Sequence, residues 1–109
     1  MTEAICLPCS AATPRLTAEA CHQALAGLHA DWQLDPTASA ITRAFAFKGF
    51  AKAAQLANLA VWYAEKTGHH PDIAFGWGYC RLTYTTHEIG GLSEVDFATA
   101  AGFDRLVTG

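Results

Sequence analysis

No run of about 18 consecutive apolar residues occurs in this chain of 109 residues, so no membrane-spanning helix is expected. Clustered cations are missing as well. Seven Lys and Arg are scattered among ten Asp and Glu, for a formal net charge of −3, and a nucleic acid is a poor direct partner for such a surface. The N-terminus has no basic segment followed by an apolar core, so no signal peptide is expected, and the cytoplasm, which keeps thiols reduced, is the expected compartment. Internal repeats and low-complexity segments are absent. Of the four cysteines, Cys6 and Cys9 form a C-x-x-C. No second pair follows to complete a zinc site, and no strand precedes it as in a thioredoxin-like unit. Two free thiols in a tail is the plain interpretation; a zinc or redox role is the alternative.

What is abundant is apolar material. Hydrophobic residues make up 51% of the chain, including three Trp, six Phe and three Tyr. That supports a packed core in one domain, and disorder is not expected. Residues 1–15, with Pro8 and Pro14 and no periodicity, read as a tail; residues 16–109 form the domain. A domain this small leaves much of its surface exposed, and association with other copies is a natural outlet for surplus apolar area.

Thr17 is an N-cap for a helix from Ala18 to His29, with Ala20, Ala24, Leu25 and Leu28 at helical spacing. Trp32, Gln33 and Leu34 form a short extended stretch ending at Asp35-Pro36. From Ile41 to Lys48 the period changes to two, the mark of a strand. From Gly49 to Lys66 it is helical again. Phe50, Ala53, Ala54, Ala57, Val61 and Ala64 form one stripe, which Leu56, Leu59 and Tyr63 widen. So broad an apolar face suggests cover on two sides, the second from another subunit. Gly68 is placed to cap this helix in the left-handed conformation. Ile73, Phe75, Trp77 and Tyr79 then alternate with Ala74, Gly76 and Gly78 as a strand, and a tight join near Gly78–Arg81 leads to another, with Cys80, Leu82 and Tyr84 on one face. Ser93 and Asp96 resemble a capping box at the start of a last helix. Helix, two strands, helix, two strands, helix predicts an α+β two-layer sandwich, an antiparallel sheet with helices on one face.

Five histidines occur. His22 and His29 lie among alanines and read as surface or packing residues. His69 and His70 sit on the loop between a helix and a strand, where functional groups concentrate. Glu65, four residues earlier, can aim a carboxylate at an imidazole, and Pro71 restrains His70 to extended backbone. His87 follows the later strand; if that strand pairs with the one after His70, the three histidines approach one another. Such a cluster suits either a metal site or metal-free general acid–base catalysis. Trp32, Trp77 and Tyr79 offer aromatic surface for a flat ring.

With these residues in view, the chain resembles the pterin-4a-carbinolamine dehydratase family, its bacterial members in particular. The resemblance covers nearly everything after Leu16. It rests on ADWQL around Trp32, FAFKGFAKA from Phe45, AEKTGHHPD from Ala64 and GWGYCRLTYTTHEIGGLSEVDFATA from Gly76. It implies a four-stranded antiparallel sheet with three helices on one face, assembled as homodimers or homotetramers. It implies dehydration of 4a-hydroxytetrahydropterin to quinonoid dihydropterin without metal or organic cofactor, on a pterin released by an aromatic amino acid (phenylalanine) hydroxylase. By resemblance, His69 and His87 would be the acid and base and His70 would bind the pterin. Thr85, Thr86 and Glu88 would line the site, Glu65 and Asp96 would orient histidines, and Trp32 would stand at the pocket rim. One departure is Gly68, where relatives commonly carry Asp or Asn. The alternatives are a non-catalytic binding or dimerisation role on the same scaffold, a role in molybdopterin metabolism, and a zinc-dependent hydrolase.

Overall fold

The period changes read from the sequence correspond to the elements of the computed structural model, which describes residues 14–108. In order they are α1 (Ala18–Leu25), β1 (Gln33–Leu34), β2 (Ile41–Ala46), α2 (Phe50–Thr67), β3 (Asp72–Gly76), β4 (Tyr79–Tyr84), a short 3-10 helix (His87–Ile89) and α3 (Glu94–Thr108). Cys6, Cys9 and most of the expected tail lie outside the described residues. α1 starts where Thr17 caps it, its hydroxyl accepting from Ala20 N–H at 3.1 Å, and ends one turn earlier than its apolar spacing suggested, ahead of Gly27.

The four strands form one antiparallel sheet in the order β1-β2-β4-β3. The helices cover one face of it, giving an α+β two-layer sandwich. The strand expected to carry Ile73 through Tyr79 is in fact broken. Gly76 pairs with Tyr79, so Trp77 and Gly78 are the hairpin turn and Tyr79 opens β4. Gly78 takes φ +87, which a side chain would disfavour. Its N–H donates to Gly49 O at 3.1 Å and its C=O accepts from Phe47 at 2.9 Å, binding the hairpin to the β2–α2 connection.

Strand alternation sends Ile41 and Arg43 from β2, and Cys80, Leu82 and Tyr84 from β4, toward the helices, where all are buried. α2 meets them with Ala53, Ala57, Ala60, Tyr63 and Ala64; α3 adds Phe97, Ala100 and Phe103. The small α2 side chains let the helix lie close to the sheet. Of the expected broad stripe, Ala53, Ala57 and Ala64 face the sheet, whereas Phe50 and Val61 are 54% and 51% exposed on the single chain, as is Trp62 at 52%.

Arg43 is a charge on an apolar strand face, and a buried charge needs a partner. Its Nη1 donates to Asp104 Oδ1 at 2.6 Å. The same carboxylate accepts from Trp32 Nε1 at 2.8 Å and from His29 N–H at 3.1 Å, so the first loop, β2 and α3 meet at Asp104. The loop before β2 is organised by Asp35, which accepts from Ser39 N–H at 2.7 Å, Ala40 N–H at 3.0 Å and the Thr37 and Ser39 hydroxyls at 2.8 and 3.0 Å. Partial burial works to raise its pKa, but the hydrogen bonds from Ser39, Thr37 and Ala40 outweigh this and hold the carboxyl below its ordinary 3.8. A depressed folded-state pKa gives stability that is present above 3.8 and lost as pH falls through the lower folded value. Urea melts of wild type and Asp35→Asn should therefore differ most at neutral pH and converge as the pH falls below the ordinary 3.8; a constant gap would contradict this.

Burial also pushes the Cys80 thiol up, and the Cys21 thiol with it, there opposed by Arg15 and reinforced by Asp96 and Asp35. In a variant with Cys6 and Cys9 replaced by Ser, thiol reagent at pH 8 should find no rapidly reacting group until the chain is unfolded. Prompt labelling of Cys21 or Cys80 in the folded state would refute the packing described.

Candidate active site

Two helix ends and one strand end converge on His69. α2 stops at Gly68, whose φ of +76 forms a left-handed cap with its N–H on Ala64 O at 2.8 Å. Asp and Asn tolerate this conformation better than most side chains, so it does not by itself demand glycine. Just before it, the Thr67 hydroxyl donates back to Tyr63 O at 3.0 Å and accepts from His69 N–H at 3.4 Å. The chain thus leaves the helix with His69 turned inward, 5% exposed.

Asp96, fully buried, meets it from the first turn of α3. His69 Nε2 lies 2.6 Å from Asp96 Oδ1. The other oxygen, Oδ2, accepts from the Thr86 hydroxyl at 2.7 Å and from Ser93 N–H at 2.9 Å. Ser93 Oγ accepts from Val95 N–H at 3.2 Å and lies 3.0 Å from Thr86 Oγ1. The capping box expected at Ser93 is therefore present, and its carboxylate is also the one that holds the histidine. The positive end of the α3 dipole favours a carboxylate there. Thr86 arrives two residues beyond Tyr84 on the core face of the same strand direction, and an isolated bridge to Gly91 fixes its backbone.

His70, the next residue, points the opposite way. Its Nε2 is 3.1 Å from Glu65 Oε2, with side chains 62% and 74% exposed. Of the two adjacent histidines, Glu65 therefore meets His70: it sits one turn back on the solvent side of α2. An exposed pair of this kind contributes little to stability.

His87 opens the short 3-10 helix, exposed, with exposed Glu88 beside it. The β3–β4 register pairs Asp72 with Thr83, so the loop carrying His69 and His70 and the segment Thr85–Glu88 lie at the same end of the sheet. The Thr85 hydroxyl donates to Ser39 O at 2.6 Å and also lies 3.3 Å from Gly91 O, tying that segment to the Asp35 loop. Trp32 was expected at the pocket rim. It is instead a core residue, 3% exposed, because the Asp104 carboxylate draws its indole N–H inward. Among the described residues, no three His, Cys, Asp or Glu side chains converge as a set that could hold a metal ion, and no helix is long and apolar enough to cross a membrane.

Residues 14–106 match the family model described as pterin 4 alpha carbinolamine dehydratase. The chain belongs to this family. A relative from Paracoccus denitrificans, named "Putative pterin-4-alpha-carbinolamine dehydratase", is 55% identical over 91 residues, 84% of each chain. One from Methylococcus capsulatus with the same name is 42% identical over 106 residues, 97% of this chain and 92% of that one. Among solved structures, a Brucella melitensis protein described as a transcriptional coactivator/pterin dehydratase superposes with TM-score 0.76 at 34% identity, covering 88% of this chain and all of the other. A pterin dehydratase-like protein identified as a RuBisCO assembly factor in the alpha-carboxysome gives TM-score 0.58 at 29% identity, over 72% of this chain and 90% of the other.

Within this family fold, two residues that the sequence did not single out for the site were nonetheless visible in its patterns. Ser93 was identified only as a cap, and Tyr84 only as a strand residue on the buried face. Removing the shared carboxylate should be expensive. Asp96→Ala loses the helix cap and strands His69, Thr86 and the Ser93 amide, and should cost about 3 kcal/mol. Ser93→Ala, which leaves Asp96 in place, should cost about 1 kcal/mol. Equal and small losses in urea unfolding would mean that the network is not what secures α3.

Proposed function

We propose that the chain is a hydro-lyase that removes water from 4a-hydroxytetrahydropterin by histidine general acid–base catalysis. The observation that carries this is the buried His69–Asp96 pair, in a chain that keeps the two further histidines matching the family motif. The substrate bears a hydroxyl on the carbon next to N5. Dehydration requires a proton delivered to that hydroxyl, which leaves as water, and the N5 proton removed, giving the quinonoid dihydropterin. Imidazole is the side chain that most readily both gives and takes a proton, so two of them suit the two transfers, each contributing typically about 10²- to 10⁴-fold.

In this proposal His69 and His87 are the acid and base. Asp96 fixes the His69 ring through its Nε2 contact. His70 binds the pterin and Glu65 steadies it. Thr85 and Glu88 line the approach, partly through backbone groups, whereas Thr86, expected beside them, is fully buried and holds Asp96 instead. No step calls for a metal or an organic cofactor. The substrate is the form in which a pterin-dependent aromatic amino acid hydroxylase would release its cofactor, so in this reading the enzyme acts after such a hydroxylase, with the cytoplasm as the proposed compartment. Exposed Phe50, Val61 and Trp62 on α2 and Phe75 and Trp77 at the β3 end support a homodimer or homotetramer. The same surfaces support a second reading, a binding scaffold, in keeping with the coactivator and assembly roles in the descriptions of the two solved structures.

Freshly generated 4a-hydroxytetrahydropterin, followed by ultraviolet absorbance, should decay faster with chelator-treated protein than without. His69→Ala and His87→Ala should each lower turnover at least about tenfold with the circular dichroism retained. Undiminished turnover in both variants would sink the histidine assignment. No acceleration by the wild type would favour the scaffold reading.

A further inference from the structure

The Asp96 contact holds one edge atom of the His69 ring. A proton donor or acceptor has to be held within about 10–20° of its productive orientation, so a group that sets the ring plane matters to catalysis. Tyr84 is placed to do this. Its ring lies parallel to the imidazole, with centroids 5.5 Å apart and planes 9° from each other, within the range of offset aromatic stacking. Tyr84 is itself immobilised. It closes β4 opposite Ile41, is fully buried, and is backed by Trp32 at 6.0 Å and 41°. Trp32 is in turn held by Asp104, and Asp104 by Arg43.

We propose that Tyr84 is a positioning residue that sets the plane of the His69 imidazole by stacking. This rests on the dehydratase proposal for its kinetic consequence, though not for its structural one. The end of one strand then governs both members of the pair: Tyr84 the imidazole, and Thr86, two residues on, the carboxylate. Trp32 acts from behind, bracing Tyr84 through the Asp104 anchor. The aromatic ring is what matters, so phenylalanine should replace tyrosine and an aliphatic side chain of similar bulk should not.

The test uses the full chain with labelled histidine, as Tyr84→Phe and Tyr84→Met. Tyr84→Phe should keep kcat within about twofold of wild type. Tyr84→Met should lower kcat about tenfold at unchanged KM, and the His69 ring nitrogen resonances, which report its tautomer and hydrogen bond and are little affected by ring current, should move in Tyr84→Met far more than in Tyr84→Phe. Wild-type kcat in Tyr84→Met, or an equal loss in Tyr84→Phe, would overturn the proposal. If Tyr84→Met does not fold, nuclear Overhauser contacts between the His69 and Tyr84 rings of the wild type decide the matter: their presence supports stacking and their absence overturns it. A wild type without dehydratase activity would overturn the reaction proposed above, while the selective shift of His69 in Tyr84→Met would still support positioning.

Discussion

The rest of the site depends on one carboxylate having two jobs. Asp96 caps α3 through its Oδ2 contact with the Ser93 amide and grips His69 through Oδ1. A fully buried carboxylate is costly unless it is paired and hydrogen-bonded. Here the Ser93 amide at the helix start, the Thr86 hydroxyl and the imidazole supply three partners, with both oxygens engaged. Because the cap is part of the helix start, α3 cannot form in this register without delivering the carboxylate to His69. The Gly68 turn completes the constraint from the other side, ending α2 so that His69 faces inward.

This arrangement separates two functions of the surface. His69 is enclosed, with its plane and hydrogen bond set by the fold, whereas His70, His87 and Glu88 are exposed around it. A small planar substrate would meet an enclosed group and exposed ones together, a division suited to orienting a ring while exchanging a proton with it. The exposed aromatic side chains lie elsewhere, on α2 and at the β3–β4 turn. Association with partners or other copies through those residues need not disturb the His69–Asp96 pair. That independence gives a physical reason why family relatives described as a coactivator or an assembly factor share this fold.

Much of the fold was legible because its signals are local. Alternation along Ile41–Ala46 and Tyr79–Tyr84, the Thr17 cap and the Ser93–Asp96 box all describe backbone states set within a few residues. The site was legible less evenly. The spacing of Glu65 is compatible with either histidine, and only the inward turn after Gly68 decides for His70. Trp32 was misplaced for a similar reason: its environment is made by Asp104, 72 residues away, and no local pattern reports that contact. Trp77 was assigned to a strand because alternation continues through a two-residue turn that leaves the period intact. Asp96 was recognised twice, as a cap and as an orienting residue, and only the tertiary structure unites the two.

The most direct test of this coupling is a double-mutant cycle of Asp96→Asn and His69→Gln, read as unfolding free energy in urea at neutral pH. Residues joined in one buried network should show a non-additive coupling of about 1–3 kcal/mol. A coupling of that size would establish that the helix cap and the histidine are held by the same carboxylate. Losses that add to within about 0.3 kcal/mol would mean that His69 and Asp96 act independently, and would contradict the account.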